Sequence, residues 1–277
     1  MPRPGPRTNE KSKDFFGSMK RLLKNLNPWK YVVIFALILA MVSAILSLIA
    51  PNKLSDFTDI ITDGLKPKYK MLGLLIIAVI YVLFLVYGFN LGTDTYIPIF
   101  KIYINIPVFL YIPLAVLVIL STTNAINLTD GVDGLSSSVS CLIITCLTVI
   151  GISNQMYEVS IFGSIVIGAT LGFLIFNLHP AKVFMGDTGS LMLGGVISSI
   201  ALYLKMPLLL VVIAIIPVLE ALSDIIQVMY YKKTGKRVFK MAPLHHHFEL
   251  SGWKENKIVV VFSLITLIAC AVGLKII

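Results

Sequence analysis

Phe176 to Leu191 reads FNLHPAKVFMGDTGSL, a polar, glycine-jointed stretch set between two long apolar runs. A hydrocarbon interior tolerates irregular backbone only where protein or a water-filled cavity surrounds it. The stretch therefore predicts a membrane protein with a hydrated site. It carries one acid, Asp187, between Gly186 and Gly189, and glycine lets the main chain come close to a charged ligand.

The composition around it agrees. Of 277 residues, 57% are apolar and 13% charged, with a mean hydropathy of +0.90, far from the range of soluble domains. Crossing a bilayer as a helix takes about 20 apolar residues. Such runs fall at roughly 31–50, 71–89, 104–123, 138–153, 159–176, 190–204, 206–230 and 257–276. No alternating barrel pattern interrupts them, so the expected fold is all-α, a polytopic integral membrane protein of about eight transmembrane helices. The 138–153 and 190–204 runs are short and require tilt or local thinning.

A formal charge of +9 raises nucleic acid as a partner. The Lys and Arg residues instead flank apolar runs, where anionic head groups lie, so the lipid bilayer is the expected partner and nucleic acid is not. Cys141, Cys146 and Cys270 all sit inside apolar runs without metal-ligand spacing and read as buried packing. The first apolar run begins only at Tyr31 and no small-residue cleavage site follows it, which reads as an uncleaved chain.

Seven Lys and Arg residues lie in 231–257 and one in 177–189, whereas the opposite side holds only Lys101 and Lys205. The positive-inside rule thus places 124–137, 177–189 and 231–257 in the cytoplasm. The 31–50 run has basic flanks on both sides and one crossing cannot satisfy both. Residues 15–26 and Pro28-Trp29 fit an interfacial helix leading into it.

In Asn124 to Leu135, NAINLTDGVDGL, the polar positions Asn124, Asn127, Asp130 and Asp133 recur every three residues. That spacing keeps them near one another on a helix or tight turn. Two carboxylates beside glycines can hold Mg2+ through oxygen, orient a ribose or uracil, act as a base, or simply cap a helix. Capping needs one such residue, not four. Asp187 also reads as an N-cap for a helix starting near Ser190, and as a hard oxygen ligand for Mg2+ on a diphosphate. Phe184 can stack on a base, and Asn177 and His179 are secondary candidates. In Pro243 to Trp253, PLHHHFELSGW, the adjacent His245, His246 and His247 point in different directions, which argues against tetrahedral zinc and for hydrogen bonds to phosphate. Glu220 and Asp224 stand one helical turn apart in an apolar run, where carboxylates are costly.

These three segments in this order resemble the bacterial phospho-N-acetylmuramoyl-pentapeptide transferases, within the polyprenyl-phosphate N-acetylhexosamine-1-phosphate transferases. The resemblance covers about Gly64 to Ile277 and looks like the last seven of that family's ten transmembrane helices. It implies an enzyme of the bacterial cytoplasmic membrane, with its active site facing the cytoplasm. That enzyme moves phospho-MurNAc-pentapeptide from UDP-MurNAc-pentapeptide to undecaprenyl phosphate, giving lipid I and UMP, with Mg2+ as cofactor and a homodimer as an allowed assembly. By position, Asp187 matches the metal-binding aspartate. Asp130 and Asp133 match the second acidic motif, with Asp133 and Phe184 where uridine is held. Asn124, Asn127 and Asn177 match cleft positions. His245, His246 and His247 match the histidine motif, His246 among the catalytic set.

Residues 1–62 depart from that pattern and resemble, weakly, the start of an ABC-exporter membrane domain, with no P-loop motif accompanying them. The family's adjacent aspartate pair is replaced by LSDFTDIITD, in which Asp56, Asp59 and Asp63 are spaced. This division, 1–62 and 64–277, predicts a transfer rate reduced by orders of magnitude if the pair is required. The alternative is a fusion protein that only binds nucleotide-sugar or lipid.

Overall fold

The computed structural model describes residues 67–98 and 100–277. The 31–50 run, Asp56, Asp59, Asp63 and the 1–62 segment as a whole lie outside the described residues. The chain divides into two compact units, Met1–Lys70 and Met71–Ile277. The elements of the second are helical apart from one short hairpin.

Helix α1 (Pro67–Leu83) runs into a π-type turn (Phe84–Gly88). A two-stranded antiparallel ribbon follows, β1 (Asp94–Ile97) and β2 (Ile102–Asn105), with Tyr96 opposite Tyr103. Then come α2 (Val108–Thr129), α3 (Leu135–Ser153), α4 (Tyr157–Asn177) and α5 (Gly186–Tyr203). A 3-10 turn (Pro207–Leu209) and the short α6 (Leu210–Ile213) lead into α7 (Ile215–Thr234). Helix α8 (Leu244–Glu249) and the long α9 (Glu255–Ile276) complete the described residues.

Five of the described helical segments are long and apolar enough to cross a membrane, or six if the pair bent by 84° at Ala214, Pro207–Ile213 with Ile215–Thr234, counts as one span. The protein is thus an all-α polytopic membrane protein. Two of the expected runs read differently in the fold. The 206–230 run is a broken helix, and 190–204 belongs to α5, whose opening Gly-Asp-Thr-Gly and later Ser198-Ser199 dilute its apolar character. The ribbon is an addition to the expected architecture. Its residues Thr95, Tyr96, Ile97, Ile102, Tyr103 and Ile104 are β-branched or aromatic and suit a pleated surface. Asp94 pairs with Lys205 at 3.1 Å, and the Tyr96 N–H donates to the Lys205 carbonyl at 2.7 Å.

Helices α3, α5, α6 and α9 enclose the main core, where Ile143, Leu147, Ile197, Ile213 and Ile258 are fully buried. Lipid tails are as apolar as these side chains, so helix association in a bilayer relies on close packing and small residues. The pairing of α2 with α5 is the most extensive and shows this directly. A Cβ on Gly194 of α5 would lie 2.5 Å from the Thr123 Cα of α2, and backbone cannot step aside as a side-chain tip can. Gly194→Val should cost about 1–3 kcal/mol through overpacking. The check is the temperature at which the buried Cys141, Cys146 and Cys270 become reactive to a thiol dye in detergent, which should fall by several degrees.

At the edge of that core, Trp253 packs against Phe248 with ring centroids 4.7 Å apart, and Lys257 Nζ sits 4.0 Å above the indole. These contacts tie the chain between α8 and α9 to the start of α9.

Candidate functional site

Helix α2 continues to Thr129, so Asn124 and Asn127 are helical and Asp130 is the C-cap, its N–H bonded to the Asn127 carbonyl at 3.2 Å. Residues 131–134 turn the chain tightly into α3. The spacing of three then separates the polar set. Asn124 turns back, donating to the Leu120 carbonyl at 2.7 Å. Asn127 reaches across to α5, donating to Asp187 Oδ1 at 3.0 Å and to Ser190 Oγ at 2.8 Å. Asp187 lies in the first turn of α5, which begins at Gly186 rather than near Ser190, where the helix dipole favours a carboxylate.

The result is a cavity of about 330 Å3 lined by Asn127, Asp130, Gly131, Val132, Asp133, Asn177, Phe184, Met185, Gly186 and Asp187. Three carboxylates and, among the described residues, no basic side chain line it. Burial, and then the negative charge of Asp187, push Asp130 up to about 6. The donor set is hard oxygen on two separate elements, which fits a magnesium ion that keeps several waters.

Asn177 is 3% exposed and both ends of its amide are engaged. Its Oδ1 accepts from Ser137 at 2.7 Å and its Nδ2 donates to the Val183 carbonyl at 3.0 Å. It thereby braces the 178–185 loop that presents Phe184, whose ring is 75% exposed at the cavity edge. Asp133 Oδ2 accepts the Ala181 N–H at 2.9 Å and lies 3.2 Å from His179 Nδ1.

The three histidines do not line this cavity, and each has different partners. His246 Nδ1 lies 2.6 Å from Glu249 Oε2, and His247 Nδ1 accepts the Lys240 N–H at 3.1 Å. His245 is 1% exposed, and its ring occupies the space where a side chain at Gly131 would stand. Its backbone N–H donates to the Glu220 carboxylate at 3.2 Å. Its Nδ1 lies 3.2 Å from Glu220 Oε2, near enough for charge attraction but off the line of a hydrogen bond, and Nε2 has no hydrogen-bond partner among the described residues. Glu220 itself is fully buried in α7.

Glu220 is therefore the residue that joins the Pro243–Trp253 segment to the Asn124–Leu135 segment, through His245 and Gly131. Its position as a carboxylate inside an apolar run is the signal that marks it in the sequence, but its partner lies 25 residues away and no local pattern names it. Asp224 lies apart from this joint, lining a separate groove of about 510 Å3 with Gln227, Lys232 and Arg237. Gln227 holds the following loop by accepting the Val238 and Phe239 N–H groups, each at 3.0 Å.

Residues 29–205 match the model of glycosyl transferase family 4, a match that begins within the segment set apart by its sequence. Among curated proteins, the phospho-N-acetylmuramoyl-pentapeptide-transferase of Clostridium botulinum (strain Eklund 17B / Type B) is 53% identical over 213 residues, covering 76% of this chain and 64% of that protein. Its counterpart in Clostridium acetobutylicum is 50% identical over 76% of this chain and 66% of its own length. That of Acetivibrio thermocellus is 45% identical over 225 residues, 79% of this chain and 68% of its own length. The chain thus spans just under two thirds of the length of the first two. With a family match across more than half of its residues, this chain belongs to glycosyl transferase family 4.

Proposed function

We propose that the chain transfers phospho-MurNAc-pentapeptide from UDP-MurNAc-pentapeptide to undecaprenyl phosphate at the cytoplasmic face of a bacterial inner membrane, releasing UMP and forming lipid I. The observation that carries this reading is the convergence of Asn127, Asp130, Asp133 and Asp187, from segments about 60 residues apart, on one acidic cavity. The activities of the similar transferases supply the sugar-phosphate class, and the Lys and Arg distribution supplies the orientation.

Asp187 is the residue to hold Mg2+, with Asp130 beside it; the ion neutralises diphosphate charge when bound. The exposed Phe184 ring and Asp133 hold the uridine by stacking and hydrogen bonding. Asp130, pushed up to about 6, can take up or release a proton near neutral pH. His246, its Nδ1 turned to Glu249, keeps Nε2 for a phosphate oxygen. The reading is tested by incubating the purified full chain with both substrates and Mg2+ and following UMP release and the lipid-linked sugar. Absence of both products at every Mg2+ concentration would refute it.

The proton and the cation compete for Asp130. Below pH 6 the carboxyl is protonated and neutral, so apparent Mg2+ affinity should fall as pH drops through 6 and level off above about 7. Titrating Mg2+ by calorimetry across that range should show the dependence in the native chain, and Asp130→Asn should flatten it.

A further inference from the structure

We propose that Asp133, His179 and Glu255 form a second cation site, suited to a first-row transition ion such as Zn2+ and separate from the hard-oxygen donors at Asp187, using Asp133 Oδ2 and sparing its Oδ1 for the uridine. Three elements supply it: the turn after α2, the residues just past α4, and the first turn of α9. His179 Nδ1 lies 3.2 Å from Asp133 Oδ2 and 3.0 Å from Glu255 Oε2, and the three ligand atoms all fall within 4.8 Å of one another.

The convergence on one nitrogen decides between two arrangements. A histidine that merely relays hydrogen bonds between two carboxylates uses both ring nitrogens, one for each. Here both carboxylates approach Nδ1, whose single N–H serves one of them well. Two like charges meeting at one nitrogen favour a positive centre between them, which a bound cation supplies while the imidazole stays neutral. Around an ion with metal–ligand bonds near 2.0–2.1 Å, tetrahedral neighbours stand roughly 3.4 Å apart, close to the two spacings at His179 Nδ1, with the third pair within 4.8 Å. The Ala181 N–H fixes the Asp133 carboxylate at 2.9 Å, the kind of outer support that orients metal ligands. One imidazole among the donors favours zinc, nickel or cobalt over magnesium. Side chains 21–40% exposed leave solvent access for a fourth ligand. Of the basic residues nearby, Lys257 is drawn over Trp253, and Lys254 immediately precedes Glu255.

The test uses Co2+ as an optical probe with the full chain in detergent and excess Mg2+ throughout. The expected result is saturable binding of one Co2+ per chain, with the intense visible absorption of four- or five-coordinate cobalt, displaced by Zn2+. His179→Ala should abolish that absorption and Glu255→Gln should weaken binding by at least an order of magnitude, whereas Asp187→Asn should retain it. No saturable absorption in the native chain, unchanged binding in His179→Ala, or loss in Asp187→Asn would each overturn the proposal. Metal alone is measured, so failure of the transfer reaction leaves this result intact.

Discussion

Asp187→Ala is expected to lower the rate of UMP release by about a thousandfold, the scale seen when one preorganised electrostatic group is removed from a transition state, with the chain still folded. Phosphoryl transfer leaves the protein little covalent chemistry to do, so positioning and charge neutralisation carry the reaction. Asp187 is placed for both, in the first turn of α5 and tied to α2 through Asn127. Its removal would delete the oxygen proposed to hold Mg2+ and free one Asn127 N–H, while Asn127 keeps its bond to Ser190. Initial rates under saturating Mg2+ and substrate decide the matter. A variant retaining a tenth or more of the native rate would remove Asp187 from the catalytic set.

The second large effect concerns stability. Glu220→Ala should destabilise the detergent-solubilised protein by about 2–6 kcal/mol, because two buried polar groups lose the carboxylate they face, at about 1–3 kcal/mol each. Glu220 is fully buried and accepts the His245 N–H, and that histidine is itself 1% exposed. With the carboxylate gone, a buried backbone donor and a buried imidazole both lose the group that faces them. Glu220→Gln should be milder, since its amide oxygen still accepts the N–H. Thermal unfolding monitored by thiol reactivity would rank native, Gln and Ala in that order. Equal melting temperatures for native and Ala chains would show that the pair contributes no stability. Transfer should fall in parallel, since His246 and His247 ride on the same short helix as His245.

The membrane class, the helical content and the acidic cleft were legible in the sequence because each leaves a local mark. Long apolar runs mark spans, and glycine-jointed acids between them mark a hydrated site. Asn127, Asp130, Asp133 and Asp187 meet as their motifs suggest. Asn124 does not, because a helical side chain that reaches its own preceding carbonyl is satisfied there. The bend at Ala214 lies inside a continuous apolar run and is marked only by Pro217, which lacks the N–H for a bond to the Ile213 carbonyl and whose ring crowds it. The ribbon was hidden for a related reason: its tyrosines and isoleucines read equally well as the start of a span. Partnerships such as Glu220 with His245, or Asp133 with His179 and Glu255, depend on how helices assemble, and no spacing rule reports them.

The placement of Trp253 has a practical consequence. The sequence holds two tryptophans, Trp29 and Trp253, so Trp29→Phe leaves a single indole, wedged between Phe248 and the Lys257 ammonium. Its emission colour and its quenching by that cation then become an intrinsic optical gauge of the histidine-bearing loop. Ligand arrival at the cleft could be followed in real time, without any attached dye.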